Sequence, residues 1–243
     1  RIPVKMVASS VIRLTGRFEK PPIFVSEKDG TMKRTTILPL LALATLLSAT
    51  ATAQNTMNDM DTLNLSLEWD KTFPQSERVS HTKVTFHNRY GITLAADLYK
   101  PKDAVGPLAA VAVCGPYGAV KEQVSGLYAQ TLAERGFLTI AFDPSFYGES
   151  GGRPRYLTSP EISTDDFSAA VDYLSTREDV DPQRIGICGI CGWGGFALNA
   201  AANDPRIRAT ITSTMYDMSR VNARGYFDAM SADDRYHLRE ELN

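Results

Sequence analysis

One stretch of this chain carries residue types able to do covalent chemistry, Gly189-Ile190-Cys191-Gly192-Trp193-Gly194-Gly195. A cysteine thiolate is a strong nucleophile, and a helix N-terminus beside it favours the thiolate form. Ahead of the glycines, Ile185 to Cys188 is a short apolar run that reads as a buried strand, bounded by the turn signal Asp181-Pro182. Behind them, Phe196 to Ala202 reads as a helix. A strand, a tight glycine-rich turn and a helix, with a nucleophilic side chain at the apex, make a nucleophile elbow. Cys191 takes the apex, and Gly189, two residues before it, suits the crowding of such a turn. Trp193, two residues after it, stands where a small residue is usual, so Gly194 and Gly195 are expected to relieve the crowding. The competing reading is that Cys191 only fills space, as buried cysteines often do. For Cys188, inside the apolar run, packing is the preferred reading.

The elements around this stretch place it. Val79 to Asn88 and Ile92 to Tyr99 read as a strand pair turned at Arg89-Tyr90-Gly91, with Pro101 ending the second strand. Leu63, Leu65, Leu67 and Trp69 alternate with polar residues, as in a half-buried edge strand or an extended packing segment. Leu108 to Cys114 and Phe137 to Phe142 are continuous apolar runs, the mark of strands buried on both faces of a parallel sheet. Between them Ser125 to Arg135 reads as a helix stopped by Gly136. Ser163 to Thr176 is amphipathic at helical spacing, Ile207 to Thr212 is the strand after the elbow helix, and Ala229 to Leu242 reads as a polar helix. The expected class is α/β, with a mostly parallel sheet and helices on both faces. Ligands bind such sheets outside the carboxyl ends of the strands. Cys191, the loop Gly115 to Gly118 and the loop Asp143 to Gly152 all follow those ends.

Met32-Lys33-Arg34, an apolar core from Ile37 to Leu47 and the ending Ala51-Thr52-Ala53 have the order of a secretory signal peptide. Cleavage after Ala53 leaves Gln54 first and predicts a periplasmic or secreted protein with no stable membrane anchor. Residues 1–31 then read as a misannotated upstream segment, residues 54–78 as an N-terminal extension and residues 79–243 as the folded domain. The part from Gln54 onward holds 18 Lys and Arg against 25 Asp and Glu, a net charge of −7 that argues against nucleic acid as a partner. Cys114, Cys188 and Cys191 are an odd number in an exported chain, which indicates a free thiol rather than a disulfide framework. Cys188 and Cys191 have CxxC spacing, but no second ligand pair follows, so no metal and no cofactor is expected.

The motifs HNRYGITLAADLYKP, GPYGAVKEQ, AFDPSFYGESGG, RIGICGICGWGG and STMYDM together resemble the α/β-hydrolase superfamily. They are most similar to bacterial exported hydrolases of the dienelactone-hydrolase-like and polyketide-transferase-like branch, over about Val79 to Tyr226. The resemblance implies an α/β-hydrolase fold with Cys191 as nucleophile. It implies oxyanion-hole N–H groups from Gly192 and, in the loop after the third strand, Tyr117. Asp143, Tyr147, Gly148 and Ser150 match a loop that mainly shapes the mouth of the site, and their expected role is structural. A catalytic acid and a histidine are expected on later strands, beyond residue 243, so the domain reads as C-terminally truncated with its last strands missing. His81 and His87 read as surface residues and His237 as part of a charged helix. These histidines and Asp217, which follows the sixth strand, receive no role.

The expected function is hydrolysis of an ester, thioester or related acyl bond in a small molecule, through an acyl-enzyme on Cys191. Acyl transfer and peptide hydrolysis on the same fold are the alternatives within enzymes. A non-catalytic binding protein of this fold is the alternative outside them.

Overall fold

The computed structural model describes residues 63–242. The expected signal peptide, 32–53, and the upstream segment, 1–31, lie outside the described residues. Six strands form one sheet: β1 Val79–His87, β2 Thr93–Pro101, β3 Leu108–Cys114, β4 Leu138–Phe142, β5 Val180–Ile190 and β6 Ile207–Ser213, in the spatial order β1-β2-β4-β3-β5-β6. β1 and β2 form an antiparallel pair, and β2 runs antiparallel to β4. From β4 through β3 and β5 to β6 the sheet is parallel. Among the described residues five α-helices accompany it: α1 Val124–Ala133, α2 Pro160–Ser175, α3 Trp193–Asn203, α4 Met218–Arg224 and α5 Ala232–Leu242.

The period of two along a strand divides the core into two layers. On β3, Ala110, Ala112 and Cys114 face one cluster, which takes in Phe167 and Leu174 of α2 and Phe196 and Ala200 of α3. Val111 and Val113 face the other, with Ala129 and Ala133 of α1. Burial on both faces is why this strand reads as an unbroken apolar run. β5 repeats the division, with Ile185 and Ile187 on the first face and Cys188 and Ile190 on the second. β6 is an edge of the described sheet, and Ile211 on it is 41% exposed.

Several expected boundaries shift. β5 begins at Val180 and passes through Asp181-Pro182, which was expected to bound it. Its pairing with β3 jumps from Leu108↔Val180 to Ala110↔Ile185, so the turn residues bulge out of the ladder without ending the strand. α2 starts at Pro160, not Ser163, because Ser159 caps it, accepting the Ile162 N–H at 3.4 Å, and proline is tolerated in the first turn. α3 starts at Trp193, three residues before the expected Phe196, so Gly194 and Gly195 lie inside the helix. Residues 63–69 form no strand, although Trp69 packs edge-on to Phe73. The expected helix from Ala229 starts only at Ala232, behind α4 and a single 3₁₀ turn at Tyr226–Asp228. No helix among the described residues is long and apolar enough to cross a membrane.

Candidate active site

β5 ends at Ile190 and α3 begins at Trp193, leaving Cys191 and Gly192 to make the whole turn. Cys191 has φ +57°, the left-handed region that a side-chain-bearing residue rarely adopts. Three backbone hydrogen bonds hold it there. Its N–H donates to the Ser213 carbonyl at 2.9 Å, and its carbonyl accepts from the N–H groups of Gly194 at 3.0 Å and Tyr216 at 3.2 Å. A strained backbone persists only when its surroundings over-determine it, and here β6 and α3 both do so.

The glycine before the apex is required by space. A β-carbon on Gly189 would lie 2.3 Å from the Trp193 carbonyl oxygen and 2.7 Å from Ala197 Cβ. Trp193, out of place by sequence, is 1% exposed. Its ring packs on Tyr117, Tyr147 and Phe196, with centroids 5.3, 6.0 and 5.5 Å away. The residue that makes room for it is Gly115, outside the motif, where a β-carbon would stand 3.0 Å from Trp193 Cβ. Gly194 is tight against Met215.

Of the expected site residues, Cys191, Gly192 and Tyr117 come together. A β-carbon on Gly192 would be 3.1 Å from both Tyr117 Cδ2 and Met218 Cγ. Cys191 is half-buried, whereas Cys188 and Cys114 are buried. Burial pushes the Cys188 thiol up to about 12 and that of Cys114 well above its ordinary value. The two inner thiols are therefore inert packing, as expected for Cys188.

Beside the elbow lies a cavity of about 410 Å³, lined by Gly192, Phe196, Leu198, Met215 and Met218, with Asn199 and Asp217 among its polar groups. Met215 and Met218 belong to the motif STMYDM, which carried no site role in the sequence. Besides that motif, their signal was the position just past the sixth strand. Asp217 has a local task, capping α4 by accepting the Arg220 N–H at 2.9 Å.

The histidines do not converge on the thiol. Among the described residues none hydrogen-bonds to Cys191. His237 pairs with Glu240 on α5 at 3.2 Å, and His87 is exposed at the end of β1. His81 corrects the expectation of a surface residue. Its side chain is 14% exposed, and Nε2 lies 2.8 Å from Oδ1 of the fully buried Asp97. Lys71 Nζ stands 3.0 Å from the other oxygen of that carboxylate.

Asp143 lies deeper than the rest of its loop. It is fully buried and holds the loop from inside, in keeping with a structural role, with Lys121 Nζ 2.8 Å from Oδ2. Lys121 is also fully buried, and Glu149 and Glu122 lie 2.6 and 2.5 Å from its Nζ. Burial alone would lower the Lys121 pKa, but the facing carboxylates of Asp143 and Glu122 outweigh it and hold the ammonium charged. Removing one partner from such a pair costs about 3–5 kcal/mol. Carboxylate oxygens of Asp70, Glu122 and Glu149 lie within 4.8 Å of one another, a spacing that suits a cation. The ammonium groups of Lys71, Lys83 and Lys121 already fill that role.

A mixed sheet in this strand order, parallel from β4 to β6, flanked by helices and carrying a strained residue between strand and helix, defines an α/β-hydrolase. A family model described as X-Pro dipeptidyl-peptidase (S15 family) matches residues 90–233, and the chain belongs to that family. The uncharacterized protein PA2218 of Pseudomonas aeruginosa is 60% identical over 195 residues, covering 80% of this chain and 53% of that protein. Its crystal structure superposes with a TM-score of 0.74 at 61% identity, covering 75% of this chain and 57% of that one. The thiohydrolase aneE of Aspergillus aculeatus is 34% identical over 137 residues, covering 56% of this chain and 42% of that protein. The alpha/beta hydrolase GrgF from Penicillium sp. sh18 superposes with a TM-score of 0.52 at 25% identity, covering 58% and 50%. The chain spans about half the length of the curated relatives it matches.

Proposed function

We propose that this protein hydrolyses an ester, thioester or related acyl bond through Cys191. The observation that carries the reading is the φ of +57° at Cys191, which spends backbone strain to set a thiol at the carboxyl edge of the sheet, where ligands bind. In this reading the thiolate sulfur adds to the acyl carbon and the carbonyl π pair moves onto oxygen. The backbone N–H groups of Gly192 and Tyr117 stabilise that oxyanion. Collapse expels the alkoxide or thiolate, which takes up the proton that the Cys191 thiol gave to solvent, and leaves the acyl group on sulfur. Water then adds and releases the acid, restoring the thiol. The apolar cavity walled by Phe196, Leu198, Met215 and Met218 suits the acyl chain. The thiohydrolase relative favours a thioester among the substrates.

The test is turnover of p-nitrophenyl esters and an acyl thioester by the complete protein, extended past residue 243, and by its Cys191→Ala variant. The substitution should lower turnover by orders of magnitude, as removal of a nucleophile does. Full activity in Cys191→Ala would sink the assignment. We also propose export, with cleavage after Ala53; the intact mass of the exported species should begin at Gln54, and a retained leader would refute it.

A further inference from the structure

The loop between β3 and α1, residues 115–123, meets the elbow at one end and a buried ion cluster at the other. At the elbow end Gly115 lies against Ile190 and Trp193, and Tyr117 reaches both the Trp193 ring and Gly192. At the far end Lys121 makes two contacts with one carboxylate. Its backbone N–H donates to Asp143 Oδ1 at 2.8 Å, and its ammonium lies 2.8 Å from Oδ2. The same Oδ2 accepts the Glu149 N–H at 2.9 Å, and Glu149 closes the cluster by accepting from Lys121 Nζ at 2.6 Å. Asp143 and Glu149 belong to the loop after β4, whose Tyr147 also packs on Trp193. One lysine therefore ties the two loops that flank the elbow.

We propose that Lys121 is a positioning residue for acylation, holding the loop so that the Tyr117 N–H meets the oxyanion; this rests on the hydrolase reading above. Lys121 touches no reacting atom. Its effect passes through the backbone of residues 117–121, where turns close at Ala119 N–H to the Pro116 carbonyl, 3.1 Å, and at Gln123 N–H to the Val120 carbonyl, 3.1 Å. A misplacement of about 1 Å in such a donor is worth on the order of 100-fold in rate.

The experiment compares two reactions of the same thiol. Alkylation of Cys191 by iodoacetamide displaces iodide at a saturated carbon and develops no oxyanion. Acylation by p-nitrophenyl acetate adds the thiolate, its proton already lost to solvent, to a carbonyl and expels p-nitrophenolate. Lys121→Met should acylate about 100-fold more slowly than wild type, with alkylation within about twofold. Glu149→Gln, which removes only one member of the cluster, should show the same split at about tenfold, and decides the matter if Lys121→Met does not fold. Equal loss in both reactions, or no loss in either, overturns the role of Lys121. A wild-type burst that survives Cys191→Ala overturns the hydrolase reading instead, so the two failures are told apart.

Discussion

A β-carbon on Gly115 would lie 2.3 Å from the carbonyl oxygen of Ile190, the last residue before the elbow turn. The exits of β3 and β5 are thus in backbone contact. The loop that carries Tyr117 and the turn that carries Cys191 are packed as one piece. Gly115 also has φ +98°, where an L side chain is strained whatever the space.

Gly115→Ala should therefore destabilise the fold by about 3 kcal/mol, from a clash against backbone added to an unfavourable φ. Urea denaturation measures this. Gly91→Ala is the control, at φ +76° with nothing near its β-carbon position, and should cost about 1 kcal/mol. Equal costs at the two glycines would mean that the contact with Ile190 contributes nothing.

The three thiols should separate by reactivity. At pH 8, iodoacetamide should label Cys191 in the native protein and leave Cys188 and Cys114 unmodified, since burial keeps both protonated. Peptide mapping by mass spectrometry reads the outcome. Labelling of Cys188 at the rate of Cys191 would contradict the packing at the end of β5.

Asp166 should give stability a pH dependence. Its carboxylate accepts from the Ser145 N–H, the Ser145 hydroxyl and the Asn88 amide, each at 2.8 Å, yet burial pushes its pKa up to about 6. The folded value exceeds the unfolded one, so the folded state binds more protons between about pH 4 and pH 6. The contribution of this group is fully present below pH 4 and is lost as pH rises through 6. Asp166→Asn lacks the titration. The stability gap between wild type and variant should shift by about 3 kcal/mol in favour of the variant from pH 4 to pH 7. A gap that stays constant across that range would show that Asp166 is ionised at its ordinary pKa.

The cavity beside the elbow should set acyl length. Met218→Trp narrows it next to Gly192. On p-nitrophenyl esters the variant should lose kcat/KM for hexanoate at least about tenfold more than for acetate, the scale that a crowded methylene or two is worth. Equal losses on both esters would place the acyl chain elsewhere.

Local signals in the chain were enough for the parallel part of the sheet and for the cysteine at the turn. Leu108 to Cys114 reads as a doubly buried strand because its apolar run is unbroken, and Gly189 beside Cys191 reads as a tight turn because only glycine tolerates that crowding. Both depend on residues close in sequence. The tertiary structure decided what depends on long-range contact. Trp193 is accommodated by Gly115, 78 positions earlier, and no local pattern links them. His81 looked like a surface residue until pairing of β1 with β2 set it against Asp97, because a charge on a strand says nothing of which face is covered. Nothing in the residues next to Lys121 marks it as buried. Its burial follows from the meeting of the loops after β3 and β4, where Asp143 and Glu149 supply the charge that makes a dry ammonium tolerable.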